Sequence, residues 1–197
     1  VVKTFKNIRI LQISTRPFDF WTTMCNEGEL LEKFNIQLSP IPMTELIEEI
    51  KAVKEEKTKL NEMLDVIHET MEVQIKENEV ENVATLAAAM KNLVEKYGCQ
   101  AAAIQCWNAL QTEIGIMPCA ANAILNEEGI PVVCETDIHG AVTALLVEAA
   151  GMGEVRSFFA DWTIRHPDLD NGELLQHCGP WPVSVAAEKP KLTYPLA

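Results

Sequence analysis

Positive charge is scarce in this chain. Its 197 residues carry 16 Lys and Arg against 29 Asp and Glu, a formal net charge of −13. Nucleic acid and anionic membrane surfaces are therefore excluded as expected partners, because no basic stripe exists to displace counterions. No uninterrupted apolar run approaches bilayer length and no signal peptide is recognisable, so no membrane association is expected. The phosphate cradles G-x-G-x-x-G and G-x-x-x-x-G-K-[ST] are missing, and so is the G-x-S-x-G nucleophile elbow. The six cysteines, Cys25, Cys99, Cys106, Cys119, Cys134 and Cys178, form no C-x-x-C and no zinc-finger spacing. Most lie in apolar runs, which predicts free thiols in a reducing compartment and a cytoplasmic protein.

The apolar fraction is 48%, ample for a packed core. Much of the acidity lies between Glu45 and Glu95, where it is expected to coat solvated helix faces. The chain begins Val1-Val2-Lys3 and stops at Tyr194-Pro195-Leu196-Ala197, and both ends read as cuts through a longer polypeptide.

Strand-like and helix-like segments alternate. Ile8 to Ser14 reads as a buried strand ended by Thr15-Arg16-Pro17, Phe18 to Phe34 as a helix broken by Asn35, and Ile36 to Ile41 as a strand closed by Pro42. Three helical stripes follow: Met43, Leu46, Ile47, Ile50 and Val53; Leu60, Met63, Leu64, Ile67 and Met71; Val83, Leu86, Ala87, Met90 and Val94, stopped by Gly98. Ala101 to Trp107 predicts the next buried strand. Pro118 is placed to start a helix and Gly129 to end it, Ile130 to Cys134 is strand-like, and an apolar helix is expected from Asp137 to Ala150. This alternation predicts parallel β-α units: an α/β, doubly wound, mostly parallel, Rossmann-like sheet. Beyond Gly153 the texture changes. Val155 to Trp162 and Leu174 to His177 read as strands around the Asp168–Gly172 turn, an antiparallel hairpin that opens a more β-rich region.

Chemistry is expected where buried strands end, because side chains there face a crevice. Glu135-Thr136-Asp137 follows the Ile130–Cys134 strand. Hard carboxylate oxygens suit Mg²⁺, Mn²⁺ or Ca²⁺, while Asp137 is equally an ordinary helix N-cap. Glu113 trails the preceding strand and would face Glu135 or Asp137 if the two loops meet; the alternative is a solvated loop glutamate. His177 ends a strand, a position for a substrate contact or an edge histidine. Arg16 could reach an anionic or hydroxylated ligand or cap a helix, and Trp107 with Cys106 could line a pocket or belong to the core. His139 is a neighbour of the helix start, and His68 has no evident partner.

These residues carry a resemblance. Ala103-Ile104-Gln105-Cys106-Trp107, Pro118-Cys119, Ala123 to Pro131, Cys134-Glu135-Thr136-Asp137 with Gly140, Phe159-Ala160-Asp161-Trp162 and His177-Cys178-Gly179 resemble the fucose isomerase-like members of the L-fucose/L-arabinose isomerase family. The stretch from Phe34 to Leu46 is similar to the opening of that family's second domain. The resemblance implies a fragment, with residues 1–135 as the α/β second domain and residues 136–197 as the beginning of a β-rich C-terminal domain. It implies a metal-dependent aldose–ketose isomerase acting on a small sugar, with Mn²⁺ or another divalent cation, and a homo-oligomer in the full-length protein. Asp137 matches the family's strand-end carboxylate. Glu113 lies at the separation of its upstream Glu; a gapped alignment places Asn122 there, and Glu135 is a further possibility. Glu113 and Asp137 are thus the expected catalytic residues, and Glu113, Asp137 and Glu135 the expected metal ligands. Gln105, Trp107, Arg16 and His177 are expected to touch the sugar.

The reaction fits carboxylates and a cation. A proton leaves the carbon beside a carbonyl and returns to its neighbour, through an ene-diolate that positive charge stabilises. The family's metal histidine is expected in later sequence, so the fragment is expected to be inactive alone. The alternatives are a non-catalytic sugar-binding or regulatory module on the same scaffold, and another ene-diolate reaction such as an aldolase.

Overall fold

The computed structural model describes residues 1–177 and 180–194. Its centre is a four-stranded sheet of order β2-β1-β4-β5, in which every neighbouring pair is parallel. The strands are β1 (Arg9–Ile13), β2 (Gln37–Ile41), β4 (Ala101–Ile104) and β5 (Val132–Val133). The protein is α/β and Rossmann-like, as its alternating segments predict.

Two apolar layers sandwich the sheet, because successive strand residues point to opposite faces. Leu11, Ile13, Ala102, Ile104 and Val132 face one layer, formed with α3 (Met43–Glu56), α4 (Thr58–Thr70), α5 (Glu77–Lys96) and α7 (Cys119–Glu127). Ile8, Ile10, Ala101, Ala103 and Val133 face the other, formed with α2 (Glu27–Phe34) and α8 (Ile138–Ala150). A short α1 (Val2–Phe5) precedes β1. The most buried helix is α5, with Val83, Leu86, Ala87, Met90 and Val94 all inside. Its run Ala87-Ala88-Ala89 and the run Ala101-Ala102-Ala103 of β4 are fully buried small residues, which let helix and sheet approach closely.

The helix stops fall where their residue types demand. Asn35 closes α2 in the left-handed region at φ 55°, and Gly98 and Gly129 follow α5 and α7 at φ 60° and 83°. Three expectations shift. Phe18 to Phe34 is not one helix: a 3₁₀ turn spans Trp21–Thr23, and α2 begins only after Asn26, whose side chain accepts a hydrogen bond from the Glu29 amide. Phe18, Trp21 and Met24 are exposed and give an earlier helix no face to bury. The strand expected over Ala101 to Trp107 ends at Ile104, because the chain turns at Asn108 (φ 67°) into the short α6 (Ala109–Glu113). The first strand of the hairpin begins six residues later than expected, with β6 at Asp161–Arg165 pairing antiparallel with β7 at Glu173–Gln176 around the expected turn.

Residues 180–194 fold back onto the α/β body. β8 (Lys191–Leu192) pairs in parallel with β3 (Glu72–Val73), and Asn126 Nδ2 donates to the Pro180 carbonyl. α8 packs Ile138, Ala141 and Leu145 against the central sheet. The β6–β7 hairpin is exposed along its whole length. No helix among the described residues is long and apolar enough to cross a membrane.

Candidate active site

The sheet order reverses between β1 and β4, since β2 lies on one side of β1 while β4 and β5 lie on the other. A crevice is expected beyond the strand ends at such a point. The two strand ends are tied there by Ser14, which stands at φ 67° and whose hydroxyl donates to Gln105 Oε1 at 2.7 Å. One strand further along, Thr136 binds the edge together: its amide donates to the Ile104 carbonyl and its hydroxyl to the Thr15 carbonyl.

Glu135 and Thr136 both occupy the left-handed region, at φ 55° and 54°. Two consecutive non-glycine residues there are strained, and such strain is held only when surroundings over-determine it. Here the Thr136 bonds and the bond from Thr23 Oγ1 to the Glu135 carbonyl hold the turn. The turn aims Glu135 into the space beyond β4 and leaves Asp137 at the start of α8. Asp137 Oδ1 accepts from the Gly140 amide at 3.0 Å, so the N-cap reading of Asp137 is correct.

A cavity of about 450 Å³ opens beside this turn, lined among others by Phe20, Trp107, Glu135, Asp137, Asp161 and His177. Phe20 and Trp107 form an aromatic wall with ring centroids 6.3 Å apart. His177 Nδ1 lies 3.3 Å from Asp161 Oδ2, and its ring meets Phe159 edge-on at 5.1 Å. Burial pushes the Glu135 carboxyl above the usual carboxylate range. The Cys106 thiol, His177 and Trp107 pull the other way, and the Asp137 charge adds to the rise. A larger cavity of about 660 Å³ lies between α5, α7 and β8, but Met71, Val83, Ile116, Met117 and Leu192 make it mainly apolar.

Among the expected site residues, Trp107, Glu135, Asp137 and His177 share the smaller cavity. Gln105 stands at the same sheet edge, bound to Ser14, and is not part of the lining. Arg16 sits with its guanidinium 4.7 Å from the Trp21 ring centroid and donates to the Pro17 and Phe18 carbonyls, also outside the lining. Glu113 is the last residue of α6, exposed and away from that lining. Asn122 is fully buried in α7. His139 is exposed, and His68 pairs with Glu77 at 3.0 Å. Cys178 and Gly179 lie outside the described residues.

Sequence reasoning missed Asp161 and Phe20. Phe159-Ala160-Asp161-Trp162 stood out only as part of a resemblance, and nothing local marks Asp161 as the partner of a histidine 16 residues on. Phe20 lies within the Phe18–Phe34 segment whose apolar residues predict a helix. The cysteines also converge in a way no spacing signals. Ligand atoms of Cys106, Cys134 and Glu135 lie within 4.8 Å of one another.

No family model matches the chain. It is similar to three curated proteins named sulfoquinovose isomerase. That of Alkalicoccus urumqiensis is 26% identical over 187 residues, covering 95% of this chain and 42% of the relative. That of Priestia megaterium (strain ATCC 12872 / QMB1551) is 22% identical over 187 residues, covering 94% and 41%. That of Clostridium sp. (strain MSTE9) is 24% identical over 181 residues, covering 91% and 40%. The chain thus spans about two fifths of the length of the curated relatives it matches.

Proposed function

We propose that this chain is the α/β part of a metal-dependent sugar isomerase that interconverts an aldose and a ketose, in the manner of the fucose isomerase-like enzymes. The observation that carries the reading is the pairing of Glu135 and Asp137 across one strained turn, in a cavity walled by aromatics and a histidine. The names of the relatives support a sugar isomerase. They also favour a sugar that bears an anionic group.

The residues present suit a hard divalent cation such as Mn²⁺. Two carboxylates line one cavity, and the charge of Asp137 raises the Glu135 pKa, a repulsion that a cation would relieve. Glu135 and Asp137, which line the same cavity, would hold it. When bound, the cation would offset the negative charge that gathers on two neighbouring sugar oxygens as the proton leaves.

The remaining work falls to side chains of this chain. Trp107 and Phe20, tilted 35° to each other, offer an aromatic wall to the C–H face of a sugar ring or open chain. Asp161 fixes His177 through Nδ1, which keeps Nε2 for a sugar hydroxyl or for the migrating proton. Phe159 and Pro180 add apolar surface to that side of the cavity. Assembly into a homo-oligomer belongs to the same reading. The exposed cross-strand pairs Trp162 with Leu175 and Ile164 with Leu174 offer apolar surface for it on the two faces of the hairpin.

The test uses the parent protein with Mn²⁺, following aldose-to-ketose conversion of neutral and sulfonated sugars. Glu135→Gln and Asp137→Asn are each expected to lower kcat at least a hundredfold, a loss of the order of 10²-fold being typical for one charge-stabilising group. Comparison with Glu113→Gln decides which glutamate partners Asp137. Undiminished turnover in both Glu135→Gln and Asp137→Asn would remove this site. Sugar binding with no turnover and no Mn²⁺ requirement would favour a non-catalytic sugar-binding module.

A further inference from the structure

We propose that Cys106, Cys134 and Glu135 form a binding site for a thiophilic divalent cation of the Zn²⁺ and Cd²⁺ class, clamping the ends of β4 and β5. This site is distinct in chemistry from the hard-cation reading given to Glu135 and Asp137. Its donors are two thiols and one carboxylate, a set that borderline and soft cations prefer over Mn²⁺ or Mg²⁺.

The geometry already suits such an ion. Cys106 Sγ lies 3.4 Å from Glu135 Oε1, and all three ligand atoms fall within 4.8 Å of one another. Tetrahedral bonds of about 2.3 Å to sulfur and about 2.0 Å to oxygen require ligand separations of about 3.5–3.8 Å, so small rotamer adjustments close the site. Cys106 and Cys134 are 2% and 4% exposed, yet Cys134 and Glu135 border the cavity beside Trp107, which gives an ion a way in.

The surroundings hold these donors in place. The Glu135 amide donates to Cys106 Sγ at 3.3 Å, which locks the thiol against the strained turn. The neighbouring thiols of Cys106 and Cys119 push the Cys134 thiol up, as close thiol neighbours do. A second observation points to a ligand independently. Asn122 is fully buried, its Nδ2 sits 3.6 Å from Cys134 Sγ, and its Oδ1 has no hydrogen-bond partner. A half-turn of that amide brings Oδ1 to the sulfur side, at the oxygen–sulfur separation a shared tetrahedral ion requires. The unpartnered buried oxygen of Asn122 thus stands one amide rotation from Cys134 Sγ, where it could serve as a fourth ligand.

Cys106 trails β4 by two residues and Cys134 follows β5 directly, so an ion here ties two neighbouring strands at their carboxyl ends. Binding to the folded state alone then raises its stability by mass action.

The experiment titrates the reduced full chain with Cd²⁺, reading the ultraviolet thiolate-to-metal charge-transfer absorption, which Mn²⁺ does not produce. One equivalent is expected to bind, to be displaced by Zn²⁺, and to raise Tm. A background with Cys25→Ser, Cys99→Ser and Cys178→Ser should retain the band. Adding Cys134→Ser should weaken binding at least tenfold and remove the Tm rise, and Cys106→Ser serves as a second variant should Cys134→Ser fail to fold. A band that is missing in the wild type, lost in the control background, or undiminished in both Cys134→Ser and Cys106→Ser overturns the proposal. Because the readout is absorption rather than turnover, its failure is separate from failure of the isomerase reading.

Discussion

The Gly140 amide donates to Asp137 Oδ1 at 3.0 Å, and a methyl group on Gly140 would sit only 2.5 Å from Asp137 Oδ2. Helix start and carboxylate are thus fitted to each other. Gly140→Ala is expected to push the Asp137 carboxyl out of its cap. The lost N-cap costs about 1 kcal/mol, offset in part by the roughly 0.5–1 kcal/mol that Ala gains over Gly inside a helix. The net loss of stability should therefore be small, and the loss of Mn²⁺ affinity the clearer sign. Urea unfolding measures the stability change, and Mn²⁺ titration should weaken in the same variant. An unchanged urea midpoint together with unchanged Mn²⁺ affinity would show that the close approach has no consequence.

Asn126 joins β5 to the returning C-terminal segment. Its Oδ1 accepts from the Val132 amide at 2.6 Å and its Nδ2 donates to the Pro180 carbonyl at 3.3 Å, both in a buried setting. Asn126→Ala leaves a buried backbone amide without its acceptor, which costs about 1–3 kcal/mol. Hydrogen exchange should show the Val132 amide losing protection. Protection equal to wild type would rule out this bond as the source of order.

Met90 lies at 0% exposure in the middle of α5, within the layer that also holds Leu11 and Ile104. Met90→Ala should cost about 2–5 kcal/mol, the range for truncating a core side chain that its neighbours cannot refill. Thermal unfolding should show a single transition at lower Tm. A change below about 0.5 kcal/mol, the scale of surface substitutions, would place this helix outside the core.

Glu45 links α3 to the end of α5: its Oε1 accepts from Lys96 Nζ at 2.8 Å and from Tyr97 Oη at 2.7 Å. These hydrogen bonds hold its carboxyl below its ordinary value of 4.5. A carboxylate whose folded pKa is depressed binds fewer protons folded than unfolded. Its contribution is therefore present above the unfolded value and disappears as pH falls through the folded one. The stability difference between wild type and Glu45→Gln should be constant at neutral pH and shrink below pH 4.5. A difference that grows on acidification would reverse the assigned sign.

Much of the fold could be read without coordinates because each element is locally consistent. The stripe Val83, Leu86, Ala87, Met90 and Val94 has one helical period and is buried as a unit. Gly98, Gly129 and Asn35 stop helices through backbone freedom that belongs to the residue itself. The Phe18–Phe34 segment departs from its expected helix for the opposite reason. Its apolar residues suggest a helix, but Phe18, Trp21 and Met24 have no layer to pack on.

The site was readable only in part. Asp137 was found because an acidic residue after a buried strand has few purposes, capping being one of them. Glu113 was paired with it by separation along the chain, yet α6 ends with Glu113 in solvent and outside the cavity that Asp137 lines. Spacing measures contour length, and a single turn at Asn108 redirects everything behind it.

The sequence alone determined the alternation of strand and helix, the stops between them and the carboxylate that caps α8, since these depend on side-chain size, backbone freedom and the period of apolar residues. Only the tertiary structure decided that Glu135, rather than Glu113, shares a cavity with Asp137, that Asp161 meets His177, and that Cys106 and Cys134 meet across two strands. Those contacts arise from strand order and from two strained dihedral angles, which no local pattern in the chain encodes.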